Sequence, residues 1–212
     1  MKPVIQKTLL ALTLAGGLLS LSACVPLPLL LGGAMTGGVL VASDRRTSGT
    51  VLEDNTIQIK AGNRIDDNLG ERVHVNVTSY NRQVLLTGEV PSEQDKQLVA
   101  KVVGGVENVR NVVNELAVLG NSTLTQRSND ALVTSRVKAN LLDAKDLFAN
   151  SFKVTTERGT VFLMGRVTPR EANRATEVVS GTTGVQRLVR ILETISEDDL
   201  ARMSQQPPDA KK

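Results

Sequence analysis

The sequence predicts two tandem α+β domains, each built in the order helix, strand, strand, helix, strand. Three observations carry this reading. The chain repeats itself, because VTSYNRQVLLTGEV at 77–90 aligns without gaps on VTTERGTVFLMGRV at 154–167. Upstream of each copy, apolar residues recur every fourth position, as on one face of a helix. Within each copy they alternate, as on a half-buried strand.

The first helix of each copy carries the stripe Ile57, Ala61, Ile65, matched by Val133, Val137, Leu141. Val73, Val75 and Val77 alternate with His74, Asn76 and Thr78 and mark a first strand, with His74 on the face away from the valines, exposed and unpartnered. The second strand sets Val84, Leu86, Gly88 and Val90 on one face, mirrored by Val161, Leu163, Gly165 and Val167. Asn81-Arg82 and Arg158-Gly159 supply the hairpin turns. Thr168-Pro169-Arg170-Glu171 is a capping signature for the second helix, and Ser92-Glu93-Gln94-Asp95 is a weaker version. Gly104-Gly105 and Gly181 stop these helices before a third, Val- and Leu-rich strand, which a helical crossover places parallel to the second. Gly105-Val106 and Val109 match Gly184-Val185 and Leu188 after a two-residue insertion. Units of about 65 residues bury little core alone, so the two are expected to pack on one another.

Composition removes several function classes. Among 212 residues there are one His, one Cys, no Trp, one Tyr and three Phe. A closed zinc site needs about four ligands, the soft ones drawn from His and Cys, and a nucleophilic triad would depend on His74 alone. No metal, cofactor or catalytic group is therefore expected, and the chain does not read as an enzyme. Beyond residue 23 the basic and acidic residues number 23 and 22, without a polybasic run, so nucleic acid is not an expected partner. None of the glycine pairs is followed by the Lys-Ser/Thr that grips phosphate.

The amino terminus reads as an export signal. Lys2 and Lys7 precede the apolar run Thr8–Leu21, which ends in Leu21-Ser22-Ala23-Cys24. This tetrapeptide resembles the lipobox of bacterial lipoproteins, in which cleavage leaves the cysteine as the acylated first residue, here Cys24. Triacylation exceeds the two-signal requirement for stable anchoring. In that class an Asp after the cysteine retains the protein at the inner membrane, so Val25 implies the outer one. Residues 25–42 are apolar, but Pro26, Pro28 and glycines 32, 33, 37 and 38 favour a flexible tether over a spanning helix.

Asp44-Arg45-Arg46-Thr47-Ser48-Gly49, Ser128-Asn129-Asp130, Lys153-Val154-Thr155-Thr156-Glu157, Val161-Phe162-Leu163-Met164-Gly165 and Thr168-Pro169-Arg170-Glu171-Ala172 resemble the motifs of the BON domain. From the lipobox to about Ile195 the chain resembles the dual-BON outer-membrane lipoproteins of the DolP family. The resemblance implies two helices packed on a three-stranded mixed sheet in each domain. It also implies a role in envelope integrity, contact of the second domain with anionic phospholipid such as phosphatidylglycerol, and accumulation at division sites. The expected organisation is a signal peptide at 1–23, acylated Cys24 with a tether to 47, domains at 48–119 and 129–195, a linker at 120–128 and a disordered tail at 196–212.

Charge agrees with a lipid-facing second copy. Residues 56–118 carry 7 basic and 8 acidic groups, whereas 129–195 carry 10 and 7. Anionic surfaces attract basic segments by about 1 kcal/mol per nearby Lys or Arg. Leu132 lies off the buried stripe at helical spacing from Arg136 and Ala139. In the family that position is commonly Trp. The candidate lipid-contacting residues are Ser128, Asn129, Asp130, Leu132, Val133, Ser135, Arg136 and Ala139. Two alternatives stand beside this: Leu132 covers the joint between the domains, or the domains form a module that recruits an envelope protein without specific lipid contact.

Overall fold

The computed structural model describes residues 44–205; the expected signal peptide, Cys24, the expected tether up to Ser43 and residues 206–212 lie outside the described residues. Helix α1 spans Ser48–Leu69 and is capped by Thr47, whose hydroxyl accepts from the Thr50 N–H. Its stripe Ile57, Ala61, Ile65 and Leu69 is buried against strands β1 (His74–Tyr80) and β2 (Gln83–Val90), which form an antiparallel hairpin. Helix α2 (Glu93–Gly104) crosses back over the sheet, and β3 (Asn111–Asn114) and β4 (Ala117–Val118) both pair parallel to β2. The second domain repeats the plan with α3 (Leu124–Asp143), β5 (Phe152–Glu157), β6 (Thr160–Val167), α4 (Pro169–Ser180) and β7 (Arg187–Thr194). Here β5 and β6 are antiparallel, and β7 runs parallel to β6 along its full length.

Three expectations are corrected. Thr123 and Gln126 form a reciprocal capping box, so α3 starts at Leu124, inside the expected linker, and Ser128 lies within the helix. The third strand of the first domain breaks at Glu115-Leu116 into β3 and β4. Residues Glu197–Gln205 of the expected disordered tail form a helix, α5, started by Ser196 and Asp199, whose side chains exchange hydrogen bonds with each other's residues.

The hairpin turns share one device in both domains. Asn81 and Arg82 have φ of 51° and 64°, and Arg158 and Gly159 have 52° and 71°. Left-handed backbone suits the twist of a two-residue hairpin but costs a non-glycine residue roughly 1–2 kcal/mol. A buried aspartate on the preceding helix offsets that cost. Asp54 accepts from the backbone N–H groups of Asn81 (2.8 Å) and Arg82 (2.7 Å). Asp130 accepts from those of Arg158 and Gly159, both at 2.8 Å. One strand later, Gly88 has φ of 111° and sits so close to β1 that a Cβ would lie 2.1 Å from the His74 carbonyl oxygen. A Cβ at Gly165 would lie 2.7 Å from that of Ser151.

The two sheets carry helices on one face only, and their other faces meet. Tyr80, Leu85, Phe162, Met164 and Ile191 form a buried cluster, with Val113 and Val189 packed against it. The expected association of the two domains is therefore made sheet to sheet. The segment before α1 fastens the same joint. Arg45 makes a bidentate ion pair with Glu171 on α4, at 2.7 and 2.6 Å, with side chains 5% and 0% exposed. Arg46 bonds Asp44 and Asp54 and lies 4.2 Å from the centroid of the Tyr80 ring.

Unfolding of single-residue variants checks these roles. Asp54→Ala and Asp130→Ala each lower the unfolding free energy by about 3 kcal/mol in urea titrations, since each leaves two backbone donors without their acceptor. Arg45→Ala costs about 3–5 kcal/mol, because Glu171 is left as a buried charge. Lys60→Ala, which removes the partner of exposed Glu107, produces no measurable change.

Candidate functional site

Helix α3 presents two faces. Asp130, Val133, Val137 and Leu141 are buried, the valines and Leu141 in the core of the second domain. Asp130 and Val133 are thus withdrawn from the candidate lipid-contacting set: the first braces the β5–β6 turn and the second packs inside. The recurrence of Asp at 54 and 130, the same distance ahead of each helical stripe, is the sequence signal that points to the bracing role.

Ser128, Asn129, Leu132, Ser135, Arg136 and Ala139 are all exposed. Leu132 is 55% exposed and does not belong to the buried cluster between the sheets, so it does not close the domain joint. Sequence reasoning missed its companions, Leu124 and Leu142, which are 80% and 66% exposed. At about 100° per residue, both fall roughly 80° to the same side of Leu132, so the three leucines share one exposed face. Ser128, Ser135 and Ala139 lie between them as small residues that leave the leucines proud. Phe148, 57% exposed, follows the end of the helix. Three of the seven acids in 129–195, Asp130, Glu157 and Glu171, are buried, whereas none of the ten basic residues is. The surface of this domain is therefore more basic than its sequence balance.

The flank of α3 next to this face borders a cleft of about 620 Å³ at the domain joint, lined by Arg127, Asp130, Thr134 and Ser135 of α3, by His74 and Asn76 of β1, and by Glu157 of β5. His74 is neither exposed nor unpartnered: the second domain covers the face of β1 opposite the valines, and Glu89 stands across from it in the hairpin. Its Nδ1 lies 2.9 Å from Glu89 Oε2, and Glu89 is fully buried. Glu89 also accepts from the Ser122 backbone N–H (3.1 Å) and from Arg158 Nη1 (3.3 Å). Burial pushes the Glu89 carboxyl up, but the bonds from His74, Ser122 and Arg158 outweigh it and hold it below the usual range. Glu157 goes the other way. Burial raises it, the Asn76 amide at 2.9 Å offsets only part of that, and the Glu89 charge raises it further.

A raised carboxyl gives stability that is fully present below the unfolded value near 4.5 and lost as pH rises through the folded value. Ionised Glu157 therefore destabilises the neutral-pH protein. Glu157→Gln keeps an acceptor for Asn76 and removes the charge. Thermal unfolding is expected to show a higher midpoint for this variant at pH 7, with the gain shrinking as pH falls to 4.5.

Among the described residues, no helix is long and apolar enough to cross a membrane. The BON-domain family model matches residues 53–120 and 129–193. The outer membrane lipoprotein DolP of Haemophilus influenzae is 35% identical over 182 residues, covering 85% of this chain and 93% of that protein. The 21 kDa hemolysin of Actinobacillus pleuropneumoniae is 30% identical, covering 72% of this chain and 79% of its own. The osmotically-inducible protein Y of Escherichia coli is 29% identical over 90% of this chain and 96% of its own. The family match over both repeats and the 35% identity to DolP, with the duplicated αββαβ unit, show that the chain belongs to the BON-domain family.

Proposed function

We propose that this protein is a non-enzymatic outer-membrane lipoprotein that supports envelope integrity, held by acylated Cys24 and docking α3 of its second domain on anionic phospholipid. The exposed arc of Leu124, Leu132 and Leu142 in the more basic domain is the observation that carries this reading. A helix with leucines on its outer face and flanking cations lies in the plane of a membrane surface, apolar side chains at the acyl boundary and cations among the headgroups. Arg136 and Lys138, both exposed on α3, supply the cations here. The lipid anchor raises the local concentration of headgroups, so a weak docking site suffices. The lipobox and the similarity to DolP support the outer-membrane address, and the same similarity supports gathering at division sites.

The test is NMR of the protein lacking residues 1–24, titrated with phosphatidylglycerol micelles and then with zwitterionic ones. The expected result is shifts concentrated on 124–142 with the anionic lipid alone, weakened by salt, because headgroup attraction is screened within about 10 Å at 0.1 M. Leu132→Glu weakens the interaction about tenfold or more while the core signals stay in place. Unmoved α3 signals with both lipids would instead assign this face to a protein partner in the envelope.

A further inference from the structure

Two side chains that line the interdomain cleft, His74 and Glu157, and the fully buried Glu89 beside them have the chemistry of a metal site. His74, Glu89 and Glu157 each offer one ligand atom, and these atoms all lie within 4.8 Å of one another. His74 and Glu89 are neighbours across the β1–β2 hairpin, opposite each other in register, and Glu157 comes from β5 of the second domain. The sequence counts against a closed four-ligand site because only one histidine is available. It does not count against an open one, with three protein ligands and a fourth position for water.

We infer that His74, Glu89 and Glu157 bind one divalent transition-metal ion of the zinc type, which clamps the two domains together across the cleft. Three observations favour an ion of this class. Two carboxylates are brought within reach of each other at a buried joint, and a divalent ion would relieve their repulsion. Asn76 is the hydrogen-bond donor to Glu157, a neutral partner for a carboxylate, and Glu89 supplies the second anion. The cleft opens on His74 and Glu157, giving the ion an entry path and its fourth ligand room. A ring nitrogen with two carboxylates suits zinc, whereas calcium takes six to eight oxygens and magnesium a near-octahedral oxygen set. Ligand atoms around tetrahedral zinc stand about 3.3 Å apart, so the site closes by side-chain adjustments of about 1 Å. The Ser122 N–H and Arg158 on Glu89, and Asn76 on Glu157, remain as the outer bonds that orient the two carboxylates.

The experiment uses the full chain purified in detergent, stripped with chelator, then equilibrated with graded zinc and passed over a desalting column. Bound zinc is measured by elemental analysis and stability by thermal unfolding. The expected result is about one zinc per chain, undisturbed by millimolar calcium or magnesium, with a higher thermal midpoint when zinc is present. Glu157→Gln keeps the Asn76 bond and folds without the buried charge, and it lowers zinc affinity at least tenfold and abolishes the thermal gain. His74→Asn does the same. Failure of the wild type to retain zinc overturns the inference. So does equal retention by Glu157→Gln, which would assign the ion to another place on the chain.

Discussion

Each sheet is covered by helices on one side only, and a three-stranded sheet with a bare apolar face does not persist in water. Burial of the second face is the constraint on which the other features depend. Leu85 on β2 and Phe162 and Met164 on β6 make those central strands apolar on both sides, and the two domains satisfy one another by apposing them. Each large side chain buried this way contributes about 2 kcal/mol, which a unit of this size has no other means to collect. The apposition then lays β1 against β5, where Asn76 meets Glu157 and Thr78 meets Thr155, and encloses His74, Glu89 and Glu157 at one end, with Arg45, Arg46 and Tyr80 at the other.

The helices, hairpins and parallel third strands were legible because each is a local periodicity with a chemical stop at its ends. The duplicated sequence doubled every one of these signals. The apposed faces were only half legible. The alternation in β2 and β6 marks which residues meet the helices, but the apolar residues between them, Leu85, Phe162 and Met164, announce a second contact without naming its partner. His74 shows the cost of that gap. A polar residue opposite buried valines reads as solvent-facing, but the hairpin register sets it across from Glu89 and the second domain covers the pair.

The candidate docking face was legible at Leu132 and not beyond it. Leu124 precedes the apparent domain boundary, and only the Thr123–Gln126 capping box carries the helix back far enough to include it. Leu142 sits beside the core residue Leu141 and reads as part of the same stripe until the helix angle separates them. Asp130 enters the candidate docking set with the Ser128-Asn129-Asp130 motif that opens the second copy. Its equivalence to Asp54 shows a structural duty instead, since a turn of two left-handed residues needs an acceptor beneath it.

The Arg45–Glu171 pair also has a mechanical consequence. At Arg45 the chain is bolted to α4 of the second domain before it turns into α1 of the first. Tension applied to the chain ahead of Asp44 is therefore shared between both domains at once, in shear through a bidentate pair, instead of peeling α1 from its sheet one turn at a time. A molecule hung from its amino terminus would keep its two halves in register under load.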